Sequence, residues 1–221
     1  FYKNLFTILC FYCRILVNIR EEHLFTMARQ TAININTIPI GPLGIIGMPG
    51  CEELTDKIDK YLVKWRKTQA IEHAESIAFF GYQRDSYKID ITIPRFGSGE
   101  GKGVINESVR GYDIYIVCDV FNYSCTYNMY GKEVCMSPDD HFADLKRVIS
   151  ALCSKPKRVS VIMPMLYEGR QHKRSSRESL DCAMALKELV HLGVENIITF
   201  DAHDQRVQNA IPDKSFENVM P

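Results

Sequence analysis

The sequence has no excess of charge of either sign, because its 221 residues include 27 Lys and Arg and 27 Asp and Glu. A protein that binds nucleic acid over a broad surface usually carries a basic surplus. The even balance argues against such a partner, and we expect no nucleic acid to bind. Any site for a polyphosphate must then be a local cluster of Arg and Lys.

Apolar runs long enough to cross a bilayer are also missing. The uncharged run from Asn4 to Cys13 is too short, since a membrane-spanning helix takes about 20 residues. No small-residue cleavage site follows it, which argues against a signal peptide. Met27 opens an ordinary polar start, and Arg20–Glu22 can be encoded by a purine-rich run resembling a ribosome-binding site. We therefore interpret residues 1–26 as a non-native leader and expect no membrane partner.

The chain lacks the small size of a secreted disulfide scaffold, although it has eight cysteines. Several of them fall inside predicted strands or helices. We therefore predict reduced thiols and a cytoplasmic protein. Cys10 and Cys13 have the spacing of a redox or metal pair, but no second pair completes a zinc site.

Apolar periodicity divides the rest of the chain. Residues 27–50 contain Pro and Gly with little periodicity, and we expect an extended arm. Helical spacing begins at Cys51, and we expect a polar linker, Lys67–Glu75, to end this helix. Ser137 with Pro138 and two acids predicts the start of a second helix. A third helix should span about 177–192, and residues 121–137 form an insertion without a clear period. The predicted strands are 76–80, 88–93, 113–120, 158–163, 196–200 and 216–219. Alternating strands and helices in the second half predict an α/β fold with a parallel sheet.

Cations cluster in the turn that follows the predicted strand 158–163. The cluster comprises Arg170, His172, Lys173, Arg174 and Arg177. Guanidinium groups bind phosphate in a bidentate fork, and Lys adds a point charge. A solvated cationic turn without a ligand is the alternative.

A carboxylate and an imidazole follow the next predicted strand, in the sequence Asp201-Ala202-His203-Asp204. Ligands of open α/β sheets bind at the carboxyl ends of the strands. One or two carboxylates together with phosphate oxygens are the usual way in which proteins hold Mg²⁺. The alternative is that Asp201 or Asp204 only caps a helix.

A glycine-rich loop, Arg95–Lys102, is the third candidate. It lacks the Lys-Ser/Thr ending of a Walker loop and is not a GxGxxG motif. Phe96, beside small residues and a carboxylate, has the chemistry to stack on a base. A plain hairpin turn is the alternative.

Together these segments resemble the ribose-phosphate pyrophosphokinase family, also called phosphoribosyl-pyrophosphate synthetases. The separated motifs occur in the family's order: RFGSGE with INESVRG, DDHFADLKRVISAL, RVSVIMPMLYEGRQHKR, and NIITFDAHDQRVQNAIP. The resemblance covers roughly Gly50–Pro221, the N-terminal half of such an enzyme. It implies a parallel-sheet, phosphoribosyltransferase-like (Rossmann-like) domain over residues 51–221, the N-terminal ATP-binding domain of a two-domain enzyme. Ser98 replaces an acid of the family motif, His172 stands where the family has Asp, and the 121–137 insertion is longer than usual.

The resemblance also assigns roles to residues. It implies Mg²⁺ at His203 and Asp201, with His203 and Arg170 acting in catalysis. It implies a homo-oligomer in which the glycine-rich loop reaches the adenine site of a neighbouring subunit. The residues that it assigns to ATP are Phe96, Ser98, Gly99, Glu100, Arg170 and Gln171.

The implied reaction transfers the diphosphoryl group of ATP to the C1 hydroxyl of ribose 5-phosphate, giving phosphoribosyl pyrophosphate and AMP. The alternative is a non-catalytic regulatory or nucleotide-binding relative. The changes at Ser98 and His172 favour it slightly, whereas the intact Arg170-Gln171 and Asp201-x-His203 motifs argue against it. The family's loop for ribose 5-phosphate does not occur in the sequence. We therefore expect a truncated sequence whose missing C-terminal domain leaves it inactive by itself.

Overall fold

The computed structural model describes residues 40–72 and 83–220. Its helices are α1 (Glu52–Glu72), α2 (Pro138–Ala151) and α3 (Asp181–His191), with a short 3₁₀ helix at Gln205–Ala210. Its strands are β1 (Leu43–Gly47), β2 (Ile91–Thr92), β3 (Val104–Ile105), β4 (Asp113–Val117), β5 (Thr126–Met129), β6 (Lys132–Cys135), β7 (Arg158–Met163), β8 (Asn196–Phe200) and β9 (Ser215–Val219). The expected leader, most of the expected arm and the expected strand 76–80 lie outside the described residues.

Among the described residues, five strands form one sheet in the order β1-β4-β7-β8-β9, and each neighbouring pair is parallel. Both faces of the sheet are covered. Ile114 and Ile116 of β4 pack into the core that also contains residues of α2 and α3. Tyr115 and Val117 point to the opposite core, which includes Ile58 of α1. The predicted α/β parallel-sheet fold is confirmed, and double coverage explains why β4 is an unbroken apolar run.

Helix α2 begins as its sequence predicts. The Ser137 hydroxyl accepts a hydrogen bond from the Asp140 backbone N–H, and the Asp140 carboxylate accepts one from the Ser137 backbone N–H. This reciprocal capping box satisfies two amides that the helix itself leaves unpaired. The helix therefore starts at Pro138 and places its first turn beside the loop after β7.

Residues Leu43–Gly47, expected within the extended arm, instead form the buried strand β1. Gly44 and Gly47 interrupt the run of apolar side chains that would have indicated a strand. A Cβ on Gly44 would lie 2.6 Å from the end of the Ile114 side chain, so a larger residue here would force that side chain to move. The other described residues of the expected arm, 40–42 and 48–50, lie outside this strand.

Two other expectations about boundaries were wrong. Helix α3 begins at Asp181 rather than near Arg177. Hydroxyls of Ser176 and Ser179 bond locally to the carboxylates of Glu178 and Asp181, and such bonds compete with helix formation. Helix α1 continues to Glu72, into the polar segment expected to end it.

The insertion has regular structure of its own. Strands β5 and β6 pair antiparallel and form a hairpin, here called the insertion hairpin. Its turn places Tyr130 and Gly131 at positive φ, 51° and 77°. In the described part of the chain, we find no helix with the length and apolar character needed to cross a membrane.

Candidate functional site

Two loops leave the same edge of the sheet. Strands β7 and β8 are parallel neighbours, with Met163 opposite Thr199. The cationic loop (residues 164–180) follows β7, and the Asp-His loop (residues 201–204) follows β8. The predicted meeting of these segments at one sheet edge therefore follows from the topology.

Side-chain contacts join the two loops. The Nε2 atom of His172 lies 3.3 Å from Oδ2 of Asp204. The rings of His172 and His203 lie side by side, with centroids 5.0 Å apart. Only 9% of the His172 side chain is exposed, so this residue packs between the loops rather than pointing to solvent.

Asp204 is held in place by Arg206, two residues further along the chain. Its carboxylate accepts hydrogen bonds from the Arg206 backbone N–H at 2.8 Å and from the Arg206 guanidinium at 2.5 Å. These bonds hold the pKa of Asp204 well below its usual range, and His172 lowers it further. Asp204 is also the N-cap of the 3₁₀ helix. The capping alternative is therefore correct for Asp204.

Asp201 and His203 are exposed at the same edge. Asp201 adopts a left-handed φ of 44° and donates its backbone N–H to Val219 O at 3.0 Å. Asp tolerates this conformation better than most residues. The turn ends β8 and leaves the Asp201 carboxylate at the surface.

Arg170 is exposed, and within the described ranges it has no hydrogen bond or ion pair. Gln171 has a different position. Its Nε2 donates to Ser179 O at 2.8 Å, and its backbone carbonyl accepts from Cys182 N. Gln171 therefore closes the cationic loop, while the Arg170 guanidinium stays available for an anion.

The loop of residues 95–101, here called the Phe96 loop, is a hairpin turn. The Phe96 N–H donates to Glu100 O at 2.8 Å, and the Gly99 N–H donates to Phe96 O at 2.9 Å. The Phe96 ring is 57% exposed, and the Ser98 hydroxyl donates to the Glu100 carboxylate at 2.8 Å. In residues 40–72 and 83–220, we find no hydrogen bond or ring contact from Phe96 to the cationic or Asp-His loop. Among the described residues, contacts of these kinds therefore join the cationic loop to the Asp-His loop but do not join Phe96 to either.

Tyr167 was missed by sequence reasoning. Its hydroxyl donates to Asp139 Oδ1 at 2.5 Å, and its ring stacks on Phe142 with centroids 4.3 Å apart. Burial raises the pKa of Tyr167, and the bond to Asp139 raises it further. These contacts fix the start of the cationic loop to α2. The acids at the start of α2 were the available signal, but they were interpreted only as helix-start residues.

The donor set at this edge fits Mg²⁺ only together with phosphate. In the described part of the chain, no group of three or more His, Cys, Asp or Glu side chains could hold a metal ion. Mg²⁺ is usually held by one or two protein carboxylates plus phosphate oxygens and water. Asp201 and His203 could supply such a partial set.

Comparisons with known proteins agree with the fold and the motifs. The family model of the N-terminal domain of ribose phosphate pyrophosphokinase matches residues 43–193. Similar curated relatives include ribose-phosphate pyrophosphokinases of Vibrio vulnificus (strain YJ016), 27% identical, and of Haemophilus influenzae, 26% identical, each over 122 residues. These matches cover 54% of this chain and 34% of each relative, so the chain spans about a third of the relatives' length.

A solved structure shows the same fold. Phosphoribosylpyrophosphate synthetase from Mycobacterium smegmatis superposes with a TM-score of 0.57 at 20% identity. The superposition covers 80% of this chain and 48% of that one. Since the family model covers more than half of the sequence, the chain belongs to the ribose phosphate pyrophosphokinase family, through that family's N-terminal domain.

Proposed function

We propose that this chain is the ATP-binding part of an enzyme that transfers the diphosphoryl group of ATP to the C1 hydroxyl of ribose 5-phosphate. The hydroxyl oxygen attacks the β-phosphorus, the bond to the α-phosphate oxygen breaks, and AMP leaves. This chemistry depends on positioning and on neutralising phosphate charge rather than on a covalent protein intermediate. The observation that carries the proposal is the exposed Arg170 guanidinium, which has no partner among the described residues and lies on a loop joined to the Asp-His loop.

The proposed roles follow from the polar groups that each side chain can offer to a ligand. Arg170 would bind the polyphosphate and neutralise charge as the bond to AMP breaks. Asp201 and His203 would hold Mg²⁺ together with phosphate oxygens. The ion would stabilise the negative charge on those oxygens. Gln171 would contact ATP beside Arg170, and its bond to Ser179 keeps the loop closed.

The adenine would lie against Phe96 of a neighbouring subunit, with Ser98, Gly99 and Glu100 beside it. An exposed aromatic ring offers a stacking surface for a base, and Phe96 is 57% exposed. A site shared between subunits of a homo-oligomer is consistent with the lack of any hydrogen bond or ring contact from Phe96 to the cationic loop among the described residues. A cytoplasmic location would suit the six free cysteines among the described residues.

Arg170→Ala in the full-length protein tests the proposal. We expect ATP affinity or turnover to fall at least about tenfold, which is about 1.4 kcal/mol, because a guanidinium fork on phosphate is lost. Calorimetric titration with Mg–ATP and release of AMP in the presence of ribose 5-phosphate are the measurements. Lys187→Ala, which removes an exposed cation from α3, is the control and should change neither. Equal effects of the two variants would contradict the role of Arg170.

A second function is a non-catalytic, nucleotide-binding relative. It is favoured by the His172–Asp204 pair, because the family motif has Asp at position 172, and by Ser98 in place of an acid. ATP binding by the full-length protein without AMP release would support this alternative. Release of AMP that depends on ribose 5-phosphate would exclude it.

A further inference from the structure

The insertion hairpin lies directly against the Phe96 loop. Its turn residue Tyr130 donates a backbone N–H to Gly97 O at 2.8 Å. A Cβ on Gly99 would lie 3.0 Å from Met129 Sδ and 3.2 Å from the Tyr127 ring. The hairpin therefore touches the loop through its backbone and through two side chains.

Arg95, the first residue of the Phe96 loop, is fixed on several sides. Its guanidinium lies over the Tyr127 ring, 4.5 Å from the centroid. It donates to Asp144 Oδ2 at 2.5 Å and to Gly99 O at 3.1 Å. Only 11% of the Arg95 side chain is exposed. One side chain thus ties the loop to α2, to the hairpin and to its own far end.

Asp144 anchors this arrangement in α2. Its side chain is 2% exposed and accepts a second guanidinium, from Arg147, at 2.6 Å. A buried carboxylate is costly to leave without a cationic partner, and Asp144 has one guanidinium on each oxygen. The Tyr127 ring lies against the same guanidinium as Asp144 Oδ2, that of Arg95, and a cation–π contact with a largely buried cation is stabilising.

We propose that the insertion hairpin positions the Phe96 loop for its ligand, with Tyr127 as the positioning residue that holds Arg95 against Asp144. The loop then presents Phe96 and Glu100 in one conformation before any ligand arrives. Ordering a loop during binding lowers affinity, and a loop that is already ordered avoids this loss. That the ligand is a nucleotide rests on the proposed function, whereas the positioning itself does not.

Two substitutions of Tyr127 distinguish the contribution of its aromatic ring from that of its hydroxyl. Tyr127→Leu removes the aromatic face, whereas Tyr127→Phe keeps it and loses only the long hydroxyl contact to Asp140, 3.4 Å. Tyr123→Leu is the matched control, because Tyr123 is an exposed tyrosine of the same insertion. Met129→Ala is a second variant that removes a contact with Gly99 should Tyr127→Leu fail to fold.

Amide hydrogen exchange of the full-length protein without nucleotide is the first measurement. We expect the Phe96 and Gly99 amides to exchange at least about fivefold faster in Tyr127→Leu, since local opening becomes easier. Tyr127→Phe and Tyr123→Leu should match the wild type. Unchanged exchange in both Tyr127→Leu and Met129→Ala would overturn the proposal.

Mg–ATP titration and steady-state kinetics are the second measurement. We expect Kd or KM for ATP to rise about five- to tenfold in Tyr127→Leu with kcat unchanged, because the loss is one of preorganised binding, and Tyr127→Phe to restore it. Faster exchange with unaltered ATP affinity would overturn the positioning role for the ligand. A wild-type protein that binds no ATP would refute the proposed function, while the exchange result would still decide whether the hairpin orders the loop.

Discussion

At the scale of single residues, the candidate site divides into side chains with partners and side chains without them. The motifs indicated which residue types lie at the sheet edge, and the topology confirmed that the cationic and Asp-His loops meet there. Their chemical roles remain predictions. The structure added that Asp204 is already engaged by Arg206, which no spacing rule could show because the bond depends on the 3₁₀ turn after β8.

Tyr167 shows a second limit of sequence reasoning at this scale. Its partner Asp139 is 28 positions away, and a lone tyrosine in a loop gives no periodic signal. By contrast, the exposed Phe96 could be singled out because an aromatic residue in a glycine-rich loop is unusual. Pairings between distant polar side chains require the three-dimensional fold.

The cysteines provide a prediction at the residue scale. Burial raises the pKa of Cys51 to about 12 and that of Cys182 to about 11. Because the thiolate is the reactive form, we expect both to resist iodoacetamide at pH 8 in the folded protein. Cys135 and Cys153 are exposed and should be alkylated. Peptide mapping by mass spectrometry measures each site, and rapid modification of Cys51 under native conditions would contradict the prediction.

At the scale of elements, the sequence was most informative where local chemistry decides the structure. Strands β7 and β8 and the start of α2 were predicted correctly, because each combines an apolar run with clear end signals. Strand β1 was missed because Gly44 and Gly47 interrupt its apolar pattern. The insertion hairpin was not predicted because its short strands are half exposed and depend on packing against another loop.

The capping box of α2 provides the prediction at this scale. Ser137→Ala should lower the free energy of unfolding by about 1 kcal/mol, because the Asp140 backbone N–H loses its partner. Urea unfolding followed by circular dichroism measures the change. Ser150→Ala, at an exposed position near the end of α2, is the control and should have a much smaller effect.

The same cap determines a pH dependence. Burial raises the pKa of Asp140, but hydrogen bonds from Ser137 outweigh it and the net pKa is lowered. A carboxyl with a lowered folded-state pKa stabilises the fold above its unfolded pKa, about 3.9, and this stabilisation is lost as the pH falls through the folded pKa. In Ser137→Ala the Asp140 pKa should rise, which carboxyl NMR titration can detect. An unchanged titration would show that the hydroxyl does not hold the carboxylate.

At the scale of the whole molecule, the sheet lies between two apolar cores, and each of its faces contributes side chains to one of them. Residues of β4 alternate between the two, Ile116 on one side and Val117 on the other. The superposed structure shows the same fold over 80% of the chain. The alternation of strands and helices made the fold class predictable, whereas the side of the sheet on which each helix packs had to come from the structure.

This shared sheet predicts cooperative unfolding. Leu145→Ala should lower the free energy of unfolding by about 2–5 kcal/mol, because Leu145 of α2 is fully buried. The loss should shift one transition rather than split it, since the strands support both cores. Differential scanning calorimetry measures this, and two separated transitions in the variant would contradict it. Met184→Ala, on the exposed side of α3, is the control.

The strand order has a consequence for synthesis on the ribosome. In the sequence β1-β4-β7-β8-β9, position in the sheet follows position in the chain. Each of these strands can therefore join the outer edge of a sheet already formed, and none has to be inserted between two paired neighbours. Translation proceeds at about 5–20 residues per second, far slower than a strand can dock. The five strands can thus be added to the sheet in chain order as the nascent chain emerges.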